Sequence, residues 1–200
     1  MAYADGRVEE GQWENDMLVS GKAISPSGHI YEGTFSGGVR WGKGKCTWPE
    51  GHEYVGEWRE KRHGKGTMTY SDGRVEEGTW SNGNLVKGTS KLPNGHVYQG
   101  EFRGGKRWGQ GKCLWPEGHV YEGQWAEGLR HGRGKMRYAD GEVEEGEWKK
   151  DKICRGSVKN AKGDLYEGEL RDGIPHGKGR MRYAGGNVVE GDWAGGVLIT

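Results

Sequence analysis

The chain has 200 residues, 41 of them glycine, with ten tryptophans and nine tyrosines but only 32% hydrophobic residues in all. Thirty basic against 29 acidic side chains leave a net charge of +1, which gives no general attraction to nucleic acid or to an anionic surface. No apolar run reaches bilayer-spanning length and the first residues do not read as a secretion signal, so a cytoplasmic protein is expected, peripheral at most to a membrane or the cytoskeleton.

With so few aliphatic side chains, the apolar area that offsets ordering entropy must come from aromatic rings. The chain opens with MAYADGRVEEGQW, which aligns with MRYADGEVEEGEW at 136–148 and so begins inside a repeating unit. Full units follow at 9–30, 31–53, 54–75, 76–97, 98–120, 121–143, 144–165 and 166–188, with a partial unit after them. They come in three types. Type A reads EEGTWSNGNLVKGTSKLPNGHV (76–97), type B YQGEFRGGKRWGQGKCLWPEGHV (98–120) and type C YEGQWAEGLRHGRGKMRYADGEV (121–143). The order is A-B-C, A-B-C, A-C and then half of an A.

A glycine in a fixed frame opens each unit at Gly11, Gly33, Gly56, Gly78, Gly100, Gly123, Gly146, Gly168 and Gly191, always 22 or 23 residues from the last. A second follows 10 or 11 residues later, at Gly21, Gly44, Gly66, Gly88, Gly111, Gly134, Gly156 and Gly179. Such self-similarity marks a repeat array. The stretch RWGKGKC at 40–46, which resembles a phosphate loop in isolation, returns 67 residues later as RWGQGKC and lacks the GxxxxGK[ST] spacing.

Each unit holds two runs that alternate with period two. In the first B unit these are Tyr31–Phe35 and Gly42–Trp48, separated by Ser36-Gly37-Gly38-Val39-Arg40. Alternating runs bounded by turn residues predict a hairpin, and paired glycines inside every run argue against a helix. Tyr31, Gly33, Phe35, Gly42, Gly44, Cys46 and Trp48 are expected on one face, and Glu32, Thr34, Lys43, Lys45 and Thr47 on the other. The expected core is a ring of one strand lying over bare glycine backbone of the next. Each glycine costs about 0.5–1 kcal/mol, and burying an aromatic returns about 1.5–3 kcal/mol. On the polar face, Glu57, Glu101, Glu122 and Glu169 of first strands are expected to pair with Lys43, Lys65, Arg133 and Lys178 of second strands.

YEGQW…GLRHGRGKMRYADG (121–141) and YVGEW…RHGKGTMTYSDG (54–73) resemble the MORN repeat, roughly YxGxWxxGxxHGxGxxxxxxG, and the resemblance covers essentially the whole chain. The C units match best. B units carry Trp41 and Trp108 where the pattern has His, and A units replace the HG step with LVS, LVK and ICR. The resemblance implies an all-β fold, an elongated single-layer antiparallel sheet of tandem hairpins with about 18 strands. It also implies a scaffold or protein-binding module rather than an enzyme. Acidic phospholipids such as phosphoinositides are the alternative ligand.

One slot, the residue before the HG-type step of the second strand, reads Leu18, Trp41, His63, Leu85, Trp108, His131, Ile153, His176 and Leu198. Alternation points it away from the glycine face, where an apolar stripe would hold a protein or peptide partner. Arg40, Arg62, Arg107 and Arg130, read as turn residues, are the candidate phospholipid patch. Cys46 and Cys113 are expected as buried small hydrophobes. His29, His52, His96 and His119 recur once per loop without metal-ligand spacing. The adjacent pairs Glu9-Glu10, Glu76-Glu77 and Glu144-Glu145 point to opposite faces, which does not suit acid–base work. No catalytic residue, cofactor or metal is expected. Open edge strands are expected to favour pairing with a second copy.

Overall fold

The computed structural model describes residues 1–199. It contains strands and no helix among those residues. The chain divides into two compact units, one ending at Asn94 and the other starting at Gly95. The first holds β1 (Val8–Glu14), β2 (Met17–Ile24), β3 (Ile30–Ser36), β4 (Val39–Thr47), β5 (Glu53–Arg59), β6 (Lys61–Thr69), β7 (Val75–Ser81) and β8 (Asn84–Lys91). The second holds β9 (Val97–Arg103), β10 (Lys106–Leu114), β11 (Val120–Ala126), β12 (Leu129–Arg137), β13 (Val143–Lys149), β14 (Lys152–Lys159), β15 (Leu165–Arg171), β16 (Ile174–Arg182), β17 (Val188–Ala194) and β18 (Val197–Leu198). Within each unit every strand pairs antiparallel with the next in chain order, as expected of tandem hairpins.

Register is fixed on the frame glycines. In the first unit Gly11, Gly21, Gly33, Gly44, Gly56, Gly66, Gly78 and Gly88 stand opposite one another in a file across the strands. Gly100 to Gly191 make the equivalent file in the second. In B and C units a tyrosine lies over this file. A Cβ on Gly44 would fall within 2.6 Å of the Tyr31 ring, and one on Gly66, Gly111, Gly134 or Gly179 would collide likewise with Tyr54, Tyr98, Tyr121 or Tyr166. These tyrosines are at most 4% exposed. Each hydroxyl donates back to the backbone, Tyr121 Oη to the Gln124 carbonyl at 3.1 Å, for example.

The tryptophan of the following strand completes the motif. Trp58, Trp80, Trp125, Trp148 and Trp193 each donate the indole N–H to the carbonyl of the second frame glycine of the preceding hairpin, at 2.9–3.0 Å. Rings meet edge to face. Tyr121 lies 5.1 Å from Trp125 and 5.3 Å from Trp148, centroid to centroid, at 86° and 81°. That geometry contributes beyond area burial. Cys46 and Cys113 fill the same layer, at 0% and 1% exposure, and burial pushes both thiols up.

Type A hairpins depart from the expected core. Glu9, Glu76 and Glu144 occupy the tyrosine slot, so no ring covers Gly21, Gly88 or Gly156. Glycine is needed there because the strands approach too closely for a side chain. A Cβ on Gly78 would meet the Gly88 Cα at 2.6 Å. Glu76 is buried and accepts from Tyr70 Oη at 2.8 Å and Arg74 Nη1 at 3.1 Å. Its neighbour Glu77 is exposed, so adjacent acids do face opposite ways.

The polar-face ion pairs also differ from those expected. They join Lys22 to Glu32, Lys45 to Glu53, Lys112 to Glu122 and Lys135 to Glu145, at 3.8, 2.7, 3.7 and 2.5 Å. Of the expected acids only Glu122 is used. Glu57 instead accepts the backbone N–H of Lys65 at 3.1 Å, as Gln124 does for Arg133 at 2.8 Å. These side chains close a bulge in the second strand, where unpaired backbone donors outrank an exposed ammonium.

Candidate functional site

Bulges decide which predicted site residues reach which face. In B and C hairpins the bulge accommodates two extra residues. Gly33 pairs with Gly44 and Phe35 with Arg40, two residues on one strand against four on the other. The turn glycine that permits this, Gly42 in β4, has φ +73°. In A hairpins there is one extra residue, because Gly11 pairs with Gly21 and Trp13 with Leu18. An odd insertion reverses the alternation.

Leu18, Leu85 and Ile153 therefore turn into the ring face, at 5%, 5% and 2% exposure, and do not belong to an outward stripe. Each stands opposite a tryptophan, Trp13, Trp80 and Trp148. Leu198 likewise pairs with Trp193. The outward position in A hairpins passes to the next residue. Val86 and Cys154 are exposed there, and Val19 is half-exposed. In B and C hairpins the expected placement holds: Trp41 is 46% exposed, His131 is exposed, and His63, Trp108 and His176 are half-exposed. The outward slot is thus filled by Val19, Trp41, His63 and Val86 in the first unit, and by Trp108, His131, Cys154 and His176 in the second.

The four arginines are strand residues on the ring face, not turn residues. Each pairs with the second aromatic of its own hairpin: Arg40 with Phe35, Arg62 with Trp58, Arg107 with Phe102 and Arg130 with Trp125. Each guanidinium lies over a tryptophan of the next hairpin, 4.3–4.8 Å from its centroid. All four are half-buried. They roof the aromatic layer by cation–π stacking, each contact worth about 0.5–2 kcal/mol. Burial beneath that roof pushes the hydroxyls of Tyr31, Tyr54, Tyr98 and Tyr121 up to about 12, the arginine charge opposing the rise.

Two kinds of concavity result. On the polar face the glycine file forms troughs between charged rows. One, of about 540 Å³, runs over Gly134, Gly146 and Gly156 between Arg133, Lys135, Glu145, Glu147 and Arg155. Another, of about 450 Å³, runs over Gly44 and Gly56 beside Lys43, Lys45, Val55 and Lys65. On the ring face a recess of about 310 Å³ opens where the first A hairpin meets the first B hairpin, walled by Ala23, Ile24, Tyr31, Phe35 and Val39. The troughs suit shallow contact with an extended surface, and the recess suits one inserted side chain. The loop histidines serve the fold. His52 and His119 accept the N–H of Ser71 and Ala139 through Nδ1 at 2.9 and 3.0 Å.

The family model described as MORN repeat matches residues 10–30, 31–53, 54–73, 77–97, 98–120, 121–143 and 166–188. Residues 144–165 fall outside the match, yet β13 and β14 build the same hairpin there, with Gly146 opposite Gly156. No curated protein matches the chain. Among solved structures, the SAS-4 (dCPAP) TCP domain of Drosophila melanogaster, in complex with a proline-rich motif of Ana2 (dSTIL), is 12% identical over 95% of this chain and 92% of that one, with a TM-score of 0.45. The G-box domain of the microcephaly protein CPAP is 14% identical over 97% of each chain, TM-score 0.42. The TCP10 domain of Danio rerio CPAP, in complex with a STIL peptide, is 13% identical over 96% and 92%, TM-score 0.35.

Proposed function

This chain belongs to the MORN-repeat family, and from that premise we propose that it is a non-enzymatic, protein-binding scaffold working in the cytoplasm. The observation that carries this reading is the outward slot of the polar face. An apolar or aromatic side chain recurs there on successive second strands, with Trp41 at 46% and Val86 at 37% exposure, beside troughs floored by glycine backbone. Bare backbone lets a partner approach closely, and the slot residues supply anchors at hairpin spacing, roughly 10 Å apart. Tryptophan is the residue type that most often dominates such contacts.

The phospholipid alternative has less support. Its four arginines are half-buried over rings on the opposite face rather than displayed in turns. The test is capture of partners on immobilised protein, comparing the wild type with Trp41→Ala plus Trp108→Ala. Loss of specific partners in the variant supports the reading. Unchanged capture of every partner overturns the slot as the contact surface. Salt-sensitive binding to vesicles containing phosphatidylinositol bisphosphate, with no protein partner, moves the assignment to the alternative.

A further inference from the structure

Three of the four junctions where a C unit meets an A unit share one arrangement. The tyrosine before the loop donates its hydroxyl to the acid of the next strand, Tyr3 to Glu9 at 2.8 Å, Tyr70 to Glu76 at 2.8 Å and Tyr138 to Glu144 at 2.9 Å. The loop between them is held alike. The tyrosine N–H goes to the carbonyl of the residue four further on, Arg7, Arg74 or Glu142, at 2.8–2.9 Å. The N–H of that residue goes to Oδ1 of Asp5, Asp72 or Asp140, at 2.9–3.1 Å. The fourth junction has Val189 in place of the acid.

The backbone therefore brings the residue two before the acid to the same place in all three. At two of them it is an arginine lying on the tyrosine ring. Arg74 is 3.7 Å from the Tyr70 centroid and donates from Nη1 to Glu76 Oε1 at 3.1 Å. Arg7 is 4.5 Å from the Tyr3 centroid. The third junction carries Glu142 instead. Among the described residues, the Glu144 carboxylate is bonded by the Tyr138 hydroxyl alone, and no guanidinium lies over that ring. Arg130 lies over Tyr121 and Trp148.

The surroundings of Tyr70 and Tyr138 are otherwise matched. A histidine meets each ring edge-on, His52 at 5.5 Å from Tyr70 and His119 at 5.4 Å from Tyr138. A roofing arginine, Arg62 or Arg130, adds its charge to each tyrosine. Arg130 is bonded to Asp151, and Asp172 of the facing turn to Lys152, so neither brings an unpaired charge. The turn nearest Glu144 Oε1 presents Gly173, which puts no side chain over that oxygen. Tyr138, Glu142 and Glu144 are all half-buried. Burial holds the Glu144 carboxyl above its ordinary value, and the Glu142 carboxylate adds to the rise. The local field at the third junction thus favours a cation.

We propose that Tyr138 and Glu144, with Glu142 beside them, receive an arginine side chain of a partner polypeptide, its guanidinium laid on the Tyr138 ring and bonded to Glu144 Oε1 as Arg74 is to Tyr70 and Glu76. The chemistry of the ligand is read from the two sister junctions, which fill this place with a guanidinium of their own chain. A planar guanidinium serves ring and carboxylate together, and the charge-assisted bond strengthens where water is partly excluded. The site is on the ring face, opposite the outward slot, so it stands or falls independently of that reading.

The experiment follows the ring signals of Tyr138 and Tyr70 in the whole protein by NMR. The probes are N-acetyl-argininamide, N-acetyl-lysinamide and N-acetyl-citrullinamide, the last matching arginine in shape without its charge. The proposal expects the arginine probe to move Tyr138 saturably and to leave Tyr70, already carrying Arg74, in place. The lysine and citrulline probes should bind at least about tenfold more weakly. Glu142→Arg should supply the guanidinium from the chain itself and abolish the response at Tyr138. Arg74→Glu should create a response at Tyr70. Dispersed Trp148 and Trp80 indole signals report an intact fold in the two variants. Tyr138 and Tyr70 moving alike in the wild type, an equal response to the lysine or citrulline probe, a response that survives Glu142→Arg, or no saturable shift at all overturns the proposal.

Discussion

Replacing Gly134 by alanine puts a methyl group where the Tyr121 hydroxyl and ring now lie. Neither the backbone nor the ring can stay as it is. If the ring gives way, Tyr121 loses its bond to the Gln124 carbonyl, 3.1 Å, and its edge contacts to Trp125 and Trp148. Moving the strand also strains the Trp148 indole bond to the Gly134 carbonyl, 3.0 Å. Two hydrogen bonds at about 1 kcal/mol each and two ring pairs at about 0.5–1.5 kcal/mol each give about 3–5 kcal/mol. The entropy that alanine removes from the unfolded chain returns about 0.5–1 kcal/mol, leaving a loss of about 2–4.5 kcal/mol. Urea unfolding followed by tryptophan fluorescence measures it. Gly185→Ala, where an added Cβ meets nothing within 4 Å and φ is ordinary, is the control and should change stability by less than about 0.5 kcal/mol. In a Tyr121→Ala background the Gly134→Ala cost should fall below about 1 kcal/mol, since the obstructing ring is gone. An equal cost in both backgrounds would show that the ring is not the reason for the glycine.

His119→Asp should fold as the wild type does, because Asp164 already accepts the Ala184 N–H at 2.8 Å in the manner of His119 with Ala139. His119→Leu should lose about 0.5–1 kcal/mol, read as a lower urea midpoint. Glu144 is held above its ordinary carboxyl value of 4.5, chiefly by burial and against the Tyr138 hydrogen bond. The folded protein therefore keeps that proton more tightly than the unfolded chain. Stability falls as pH rises from the ordinary value through the raised folded one. Glu144→Gln should remove that loss, so in a series of thermal melts the variant gains on the wild type as pH rises from the ordinary carboxyl value through the raised folded one. A gain that shrinks as pH rises would contradict the burial argument.

Much of the fold was legible because glycine and aromatic residues recur on one count. The Gly33–Gly44 and Gly123–Gly134 pairs, the burial of Tyr31 and Tyr121, and the core role of Cys46 all follow from that periodicity. What alternation alone missed is the size of the bulge. Leu18 and Trp41 each lie three residues before the second frame glycine, yet they face opposite ways because the A bulge holds one extra residue and the B bulge two. The signal was present in the sequence as the glycine after the slot, Gly42 or Gly64 at positive φ, where the A unit has Val19. Arg40 was also legible in principle, since Gly44, Gly42 and Arg40 share parity, but its place beside a glycine turn suggested a loop. The Glu76–Tyr70 pair was not legible. Strand alternation does not relate its partners, although the same pair recurs six residues apart as Tyr3–Glu9 and Tyr138–Glu144, where a C unit meets an A unit. Nor did spacing reveal that Glu57 closes a bulge rather than meeting a lysine ammonium.

Indole hydrogen exchange tests the ring-over-glycine core most directly. Trp58, Trp80, Trp125, Trp148 and Trp193 give their N–H to glycine carbonyls beneath the aromatic roof. Their indole protons should exchange only when the hairpins open, orders of magnitude more slowly than that of Trp41, which is 46% exposed. Exchange of those five at the Trp41 rate would mean that the rings do not rest on the glycine file, and the account would fail.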